Sequence, residues 1–161
     1  MLETQSQLKN PYVFGAMMVR ERLVDGQVHG IAQSYPNAIR PALQVIPLRP
    51  GVKTVAGLYL MLLKNRTLLF ADCTVNVEPQ SETLAEIAIL SAEMAEFFGI
   101  KPKIAMLSFS NFGNARHPLS EKVARAVEIV RQTKPGLQVD GEMHADTALS
   151  ENKLIELFPF N

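Results

Sequence analysis

The chain has 161 residues, 47% of them hydrophobic, which is enough for one domain with a sizeable core. Its 16 lysines and arginines balance 16 aspartates and glutamates, so charge gives no reason to expect nucleic acid or a membrane surface as partner. A single cysteine excludes an internal disulfide framework, and neither a transmembrane run nor a signal-peptide pattern is present. We therefore predict a soluble, cytoplasmic protein.

The spacing of apolar residues predicts helices and strands that alternate along the chain. The polar residues 1–10 are expected to be a lead-in to a partial domain over 11–161. Helices are predicted at 11–23, 38–46, 82–98 and 119–133, and again after Asp146. Strands are predicted at 28–31, 52–63, 67–73, 104–107 and 137–139, the second and third forming a hairpin. This order predicts an α/β fold, a layered α/β/α lobe with a mixed, mostly parallel sheet.

Several residues are predicted to mark helix ends and the core. Asn10 is expected to cap the first helix, Ser81 to cap the helix over 82–98, and Gly99 to end it. The apolar stripe predicted to face the core from that helix is Leu84, Ile87, Leu90, Met94 and Phe97 or Phe98.

The stretch 103–114, KIAMLSFSNFGN, is the main candidate for a ligand site in the sequence. An apolar run at 104–107 is typical of a strand buried on both faces of a parallel sheet. Small polar residues and a glycine follow, with hydroxyls, an amide and bare backbone N–H groups, and then a helix begins. Such a junction is a common place to hold a phosphate or carboxylate, but an ordinary strand-to-helix loop would have the same pattern.

Ligand crevices of parallel sheets lie at the carboxyl ends of the strands, where we expect 33–40, 72–76 and 108–114 to converge, with 140–146 as a further candidate. Arg40 follows a polar turn in the first of these stretches. A guanidinium binds phosphate bidentately, whereas a solvated or salt-bridged arginine is the other interpretation.

Asp140, Glu142, His144 and Asp146 alternate like a set of metal ligands, but no metal site is expected. Ala145 stands where the calcium loop with this spacing requires glycine, and a strand-to-helix boundary would break the alternation. A carboxylate that caps a helix or bonds the neighbouring loop is favoured instead.

His29 is predicted to be structural, and His117 has no obvious partner. Cys73 follows Asp72, whose negative charge disfavours a thiolate, so a buried or half-buried structural thiol is expected.

Six stretches together resemble the phosphate acetyl/butyryltransferase (phosphotransacetylase) family. In family order they are Asp25-Gly26 with Gly30, IRPALQVI at 39–46, FADCTVN at 70–76 with Pro79, LAEIA at 84–88, AMLSFS at 105–110 and DGEMHAD at 140–146. The resemblance implies the second lobe of a two-lobe fold similar to isopropylmalate dehydrogenases, with a CoA ester as ligand. It covers only the middle of the family's domain, so the chain is expected to be truncated at both ends.

Within the family, SNFG at 110–113, Tyr35-Pro36 and GEMH at 141–144 look most like the C-terminal domain of bacterial NADP-dependent malic enzymes. This resemblance implies a non-catalytic, oligomerising module that senses acetyl-CoA, with NADP and a divalent metal only in the parent malic enzyme. The alternative is part of a true phosphate acetyltransferase, which converts acetyl phosphate and CoA to acetyl-CoA and phosphate. A dimerisation lobe without a ligand is a third interpretation.

The resemblance also implies binding residues but no catalytic residue in this chain. Arg40 matches a family arginine that contacts the phosphate or CoA. The predicted ligand-binding residues are Ser34, Tyr35, Arg40, Ser108, Ser110, Asn111 and Gly113. The family's catalytic serine–arginine pair and aspartate come after Pro159, so the isolated chain is expected to be inactive.

Overall fold

The computed structural model describes residues 7–159, so most of the predicted lead-in lies outside the described residues. The chain divides into two compact units, Met1–Val52 and Lys53–Asn161.

Within residues 11–52 the first unit has helices α1 at Pro11–Arg20 and α2 at Tyr35–Val45. The Asn10 side chain accepts a hydrogen bond from the Tyr12 N–H at 2.9 Å, so the predicted cap is confirmed. Helix α2 begins before the predicted residue 38, because Pro36 in its first turn needs no N–H partner there.

The strand predicted at 28–31 is wrong. Val28 and Ile31 are fully exposed, and the segment has no regular structure. A short apolar run forms a strand only where a neighbouring strand can pair with its backbone, and residues 28–31 pair with none of the described residues.

The second unit opens with the predicted hairpin, which is confirmed. Strands β1, Leu58–Leu63, and β2, Arg66–Ala71, pair antiparallel from Leu58–Ala71 to Leu63–Arg66. Both strands are shorter than predicted. Residues 52–57 lead into β1 without pairing, and the turn at Asp72 ends β2 before Cys73.

The rest of the second unit alternates helices and strands. In order these are α3 at Ser81–Phe97, β3 at Lys103–Leu107, α4 at Pro118–Thr133, β4 at Gln138–Met143, α5 at Ala145–Ala148 and α6 at Glu151–Leu157. Strands β3 and β4 pair in parallel, with an irregularity between Met106 and Leu107. The α/β class is confirmed, and within residues 7–159 the mixed sheet takes the form of two separate strand pairs, one antiparallel and one parallel.

Strand β4 continues to Met143, beyond the residue 139 predicted as its end. The polar residues after Val139 suggested a loop, but the backbone of β3 supplies pairing partners as far as Met143. Gly141 permits the close approach. Its φ is 131°, and a Cβ there would lie 2.5 Å from the Met106 carbonyl oxygen.

The core lies where α3 and α4 pack on β3 and β4. It consists of Ala85, Ala88, Met106, Ala126, Val127, Val130 and Val139. The predicted stripe on α3 is partly wrong, since Ile87 is buried but Met94, Phe97 and Phe98 are exposed. Leu119, at the start of α4, is also exposed.

The two predicted ends of α3 have different outcomes. Gln80, not Ser81, occupies the capping position, and the buried Ser81 hydroxyl donates to the Lys122 carbonyl at 3.0 Å. Gly99 ends the helix as predicted, with φ of 72° and the N–H groups of Gly99 and Ile100 bonded to the Glu96 and Ala95 carbonyls.

None of the helices in residues 7–159 has both the length and the apolar character to span a membrane.

Candidate functional site

The loop at 108–114 joins β3 to α4 at the carboxyl end of the parallel pair. It is bonded along its length to residues 142–144, where β4 ends. The Ser108 N–H donates to the Met143 carbonyl at 2.9 Å, and the Phe112 N–H donates to the Glu142 carbonyl at 2.8 Å. In the opposite direction, the His144 N–H donates to Asn111 Oδ1 at 2.8 Å.

The Glu142 carboxylate enters the loop from β4 and is only 3% exposed. Its Oε1 accepts from the Ser110 hydroxyl at 2.8 Å and from the Gly113 N–H at 2.7 Å. These bonds confirm the expectation that a carboxylate of 140–146 would bond the neighbouring loop.

Ser110 is fully buried and linked to several loop groups. Its Oγ also lies 3.0 Å from Asn114 Oδ1 and accepts from the Ala115 N–H at 3.2 Å. A hydroxyl has one proton, so Ser110 donates either to Glu142 or to Asn114 at any moment.

The sequence predicted that backbone N–H groups of the loop at 108–114 would be available to bind an anion. In the structure the N–H groups of its small polar residues are already hydrogen-bonded within the protein. Besides those described above, Ser110 N–H bonds Ser108 Oγ, and Asn111 N–H bonds Asn114 Oδ1 at 3.0 Å. The Glu142 and Asn114 side chains therefore occupy the positions that a bound anion would take against the loop backbone. This is a correction to the expected N–H cradle, because a carboxylate from the adjacent strand supplies the negative charge itself.

His117 caps helix α4, which corrects the expectation that it has no partner. Its Nδ1 accepts from the Leu119 N–H at 3.1 Å, and its own N–H donates to Ser120 Oγ at 3.2 Å. The His117 ring also lies edge-on to Phe109, with centroids 5.6 Å apart. Histidine is not among the favoured capping residues, so the sequence held little signal for this role.

The four alternating residues of 140–146 bond different groups in the structure, and His144 Nδ1 also lies 3.9 Å from Asp146 Oδ1. Besides Glu142, Asp140 pairs with Arg131 at 3.0 Å, and His144 Nε2 lies 2.6 Å from the Phe109 carbonyl oxygen, to which it must donate. Asp146 accepts from Lys153 Nζ at 2.6 Å, and this bond is the main reason that its pKa lies below the ordinary value. Within the described residues, no group of three or more such side chains is arranged to hold a metal ion.

The predicted segment 72–76 is a tight turn organised by Asp72. One carboxylate oxygen accepts from the N–H groups of Gly57, Thr74 and Val75 at 3.2, 2.9 and 3.1 Å, and the other accepts from Asn76 N–H at 2.8 Å. Cys73 in this turn is exposed, so the prediction of a buried or half-buried thiol is wrong. Its side chain points outward because the turn directs the carboxylate before it inward.

The remaining predicted residues belong to the first unit. Arg40 lies on α2, is exposed, and lines an open groove of about 770 Å³ between α1 and α2. Polar side chains that share this groove are Gln7, Asn10, Tyr12, Gln33, Asn37 and Gln44. Ser34 and Tyr35 stand at the start of α2, are exposed, and are not among the groove's lining residues.

Each unit thus gathers part of the predicted set. Ser34, Tyr35 and Arg40 are in the first unit, and Ser108, Ser110, Asn111 and Gly113 form one bonded loop in the second. The sequence predicted that a carboxylate of 140–146 would cap a helix or bond the neighbouring loop, but it did not identify Glu142 as that carboxylate or predict the bonds of His144. The signal available was their position directly after a predicted strand.

The fold and the loop define an α/β protein with a polar loop at the carboxyl end of a parallel strand pair. Residues 1–160 match the family model described as phosphate acetyl/butaryl transferase, and the chain therefore belongs to that family.

Curated relatives include the phosphate acetyltransferase of Bacillus subtilis, 47% identical over 135 residues that cover 84% of this chain and 42% of the relative. The phosphate acetyltransferase of Clostridium acetobutylicum is 40% identical over 154 residues, covering 91% of this chain and 46% of the relative. The chain thus spans less than half the length of these relatives.

Solved structures of phosphotransacetylases also match this chain. A phosphotransacetylase from Streptococcus pyogenes superposes with a TM-score of 0.89 at 39% identity, covering 99% of this chain and 49% of that one. A phosphotransacetylase from Staphylococcus aureus superposes with a TM-score of 0.84 at 38% identity, covering 97% and 48%. The family resemblance is confirmed, and these relatives favour the transferase alternative over the malic enzyme domain.

Proposed function

We propose that this chain is part of a phosphate acetyltransferase, which transfers an acetyl group between phosphate and CoA. The observation that carries the proposal is 47% identity to a bacterial phosphate acetyltransferase over most of the chain. The malic enzyme interpretation, with NADP, a divalent metal and allosteric control by acetyl-CoA, has no support among these relatives.

In this reaction the CoA thiolate attacks the carbonyl carbon of acetyl phosphate. A carbon–sulfur bond forms, the bond from that carbon to the phosphate oxygen breaks, and inorganic phosphate leaves. No covalent bond to the enzyme is needed, so catalysis depends on positioning the two substrates and stabilising charge.

Arg40 is the residue of this chain best suited to hold a phosphate group of either substrate. Its guanidinium is exposed in a groove of about 770 Å³, next to side chains that can donate further hydrogen bonds. We assign Ser34 and Tyr35 to the same ligand, and Ser108, Ser110, Asn111 and Gly113 to the substrate-facing loop, as predictions from the family resemblance.

The test is Arg40→Ala in the full-length protein, assayed for acetyl-CoA formation from acetyl phosphate and CoA. Losing a charged hydrogen-bond donor should cost about 1.5–3 kcal/mol of binding, which is roughly a 10- to 100-fold rise in one substrate's KM. Arg40→Lys should be intermediate, because it keeps the charge without the bidentate geometry.

Arg20→Ala is the matched control, since Arg20 is exposed on α1 and does not line the groove. A wild-type protein without acyl transfer would refute the proposed function. Normal kinetics in Arg40→Ala would instead leave the function standing and remove Arg40 from the site.

The homo-oligomer implied by the resemblance and the cytoplasmic location predicted from composition stay predictions, which light scattering and cell fractionation with the full-length protein would test.

A further inference from the structure

The last two residues of β4 and the residue that follows it, His144, hold the loop at 108–114 from one side. Glu142 accepts from three loop groups, namely the Ser110 hydroxyl and the N–H groups of Phe112 and Gly113. Met143 accepts from Ser108, and His144 bonds Asn111 through its N–H and Phe109 through its ring. The conformation of this loop is therefore determined by a strand that is distant in sequence.

Glu142 is an unusual residue for that place, because a carboxylate is costly to bury. It is 3% exposed, and burial of a charge is tolerated only where hydrogen bonds replace the lost water. Its carboxylate has such bonds, and no buried side-chain nitrogen or oxygen among residues 7–159 lacks a partner. The close packing of Gly141 on Met106 leaves the strand little room to move the carboxylate away.

The loop also holds a backbone conformation that it would not adopt unaided. Phe112 has φ of 48°, in the left-handed region that bulky side chains rarely occupy. Its N–H bond to Glu142 and its ring contact with Phe158, with centroids 4.9 Å apart, maintain that conformation. Strained residues of this kind persist only where their surroundings fix them, and they cluster at functional sites.

We propose that Glu142 is a positioning residue for acyl transfer, which acts by holding the loop at 108–114 against the substrates. The inference rests on the proposed function. The loop is at the carboxyl end of a parallel strand, where α/β proteins bind their ligands. Glu142 and its partner Ser110 are both buried, so Glu142 acts by fixing the exposed part of the loop, where the Gly113 N–H bonds its carboxylate.

The experiment uses the full-length protein with Glu142→Gln, Glu142→Ala, Ser110→Ala and the double variant Glu142→Gln/Ser110→Ala. Glutamine keeps an acceptor oxygen but removes the charge, so partial rescue relative to alanine is expected. Glu96→Gln, at an exposed site on α3, is the matched control. Steady-state kinetics, hydrogen exchange of the amides at 110–115 and thermal unfolding are measured for each.

Glu142→Gln should lower kcat about 10-fold and Glu142→Ala about 100-fold, with each KM changed less than about 3-fold. The reason is that misplaced reacting groups slow the chemical step more than they weaken substrate binding. Amide hydrogen exchange should become faster at 110–115 and stay unchanged in the rest of the protein. The double variant should lose less than the product of the two single losses, because both residues act through one hydrogen bond.

Wild-type kcat in Glu142→Gln, or unchanged exchange at 110–115, would overturn the proposal. So would exchange that quickens across the whole protein, since the loss would then come from general destabilisation. A wild type without acyl transfer would show in the first assay that the proposed function, and this role with it, is wrong.

Discussion

Asp72 shows how one side chain can determine a turn. Burial alone would raise its pKa, but hydrogen bonds from the backbone of Thr74, Val75 and Asn76 and from the Asn76 side chain outweigh burial and hold it below the ordinary value. The carboxylate is therefore more stable ionised in the folded protein than in the unfolded chain. Its contribution to stability is complete above the unfolded pKa of about 3.9 and is lost as pH falls through the lower folded value.

Asp72→Asn should lower the free energy of unfolding by about 1–3 kcal/mol at neutral pH, since the amide places a donor against N–H donors. The difference from wild type should shrink as the pH falls below about 4. Denaturant unfolding across this pH range measures both effects.

Asp25→Asn is the control, because Asp25 is an exposed carboxylate of the same charge. A loss of stability in Asp72→Asn that is equally large at low pH would show that the charge of Asp72 does not stabilise the turn.

At the scale of elements, the packing of α3 against α4 depends on small side chains. The face that α3 buries is Ser81, Ala85, Ala88, Ala92 and Ala95, together with Ile87, while its large residues near the C-terminus are exposed. Ala126 of α4 is completely buried in the same core. Alanines let two helices approach closely, so the tight contact is made by residues that a hydrophobicity pattern ranks low.

Ala126→Leu should therefore overpack the core and lower the free energy of unfolding by about 1–3 kcal/mol. Gln132→Leu adds a leucine at an exposed position on the same helix and should have little effect. Chemical denaturation compares the two. Equal stability of both variants would mean that the core has room for the added side chain.

At the scale of the whole molecule, the two units differ in how much they bury. All seven residues of the core cluster belong to the unit Lys53–Asn161. Of the described residues 7–52, only Ala16, Ala38 and Pro41 are buried. The first unit thus has too little buried apolar surface to offset the chain entropy lost on folding.

Residues 53–161 expressed alone should unfold cooperatively, whereas residues 1–52 alone should show no cooperative transition. Circular dichroism during thermal unfolding of each piece tests this. A sigmoidal transition in residues 1–52 would contradict the prediction.

The parts of the fold that follow from local rules were predictable. The Asn10 cap, the end of α3 at Gly99 and the hairpin of β1 and β2 were confirmed, because each depends on residues close together in the chain. Two of the predictions that failed depended on contacts with residues distant in sequence. The segment 28–31 forms no strand. The stripe predicted for α3 consisted of large apolar residues, whereas most residues that the helix buries are alanines.

The sequence by itself determined the α/β class and the family, and it predicted the loop at 108–114 as a candidate ligand site. Composition, periodicity and motifs can all be read from short stretches of the chain. Only the tertiary structure decided which carboxylate of 140–146 bonds that loop, namely the buried Glu142, and that its partner is Ser110. The physical reason is that a hydrogen bond between residues 32 positions apart, such as that of Ser110 with Glu142, leaves no trace in local sequence.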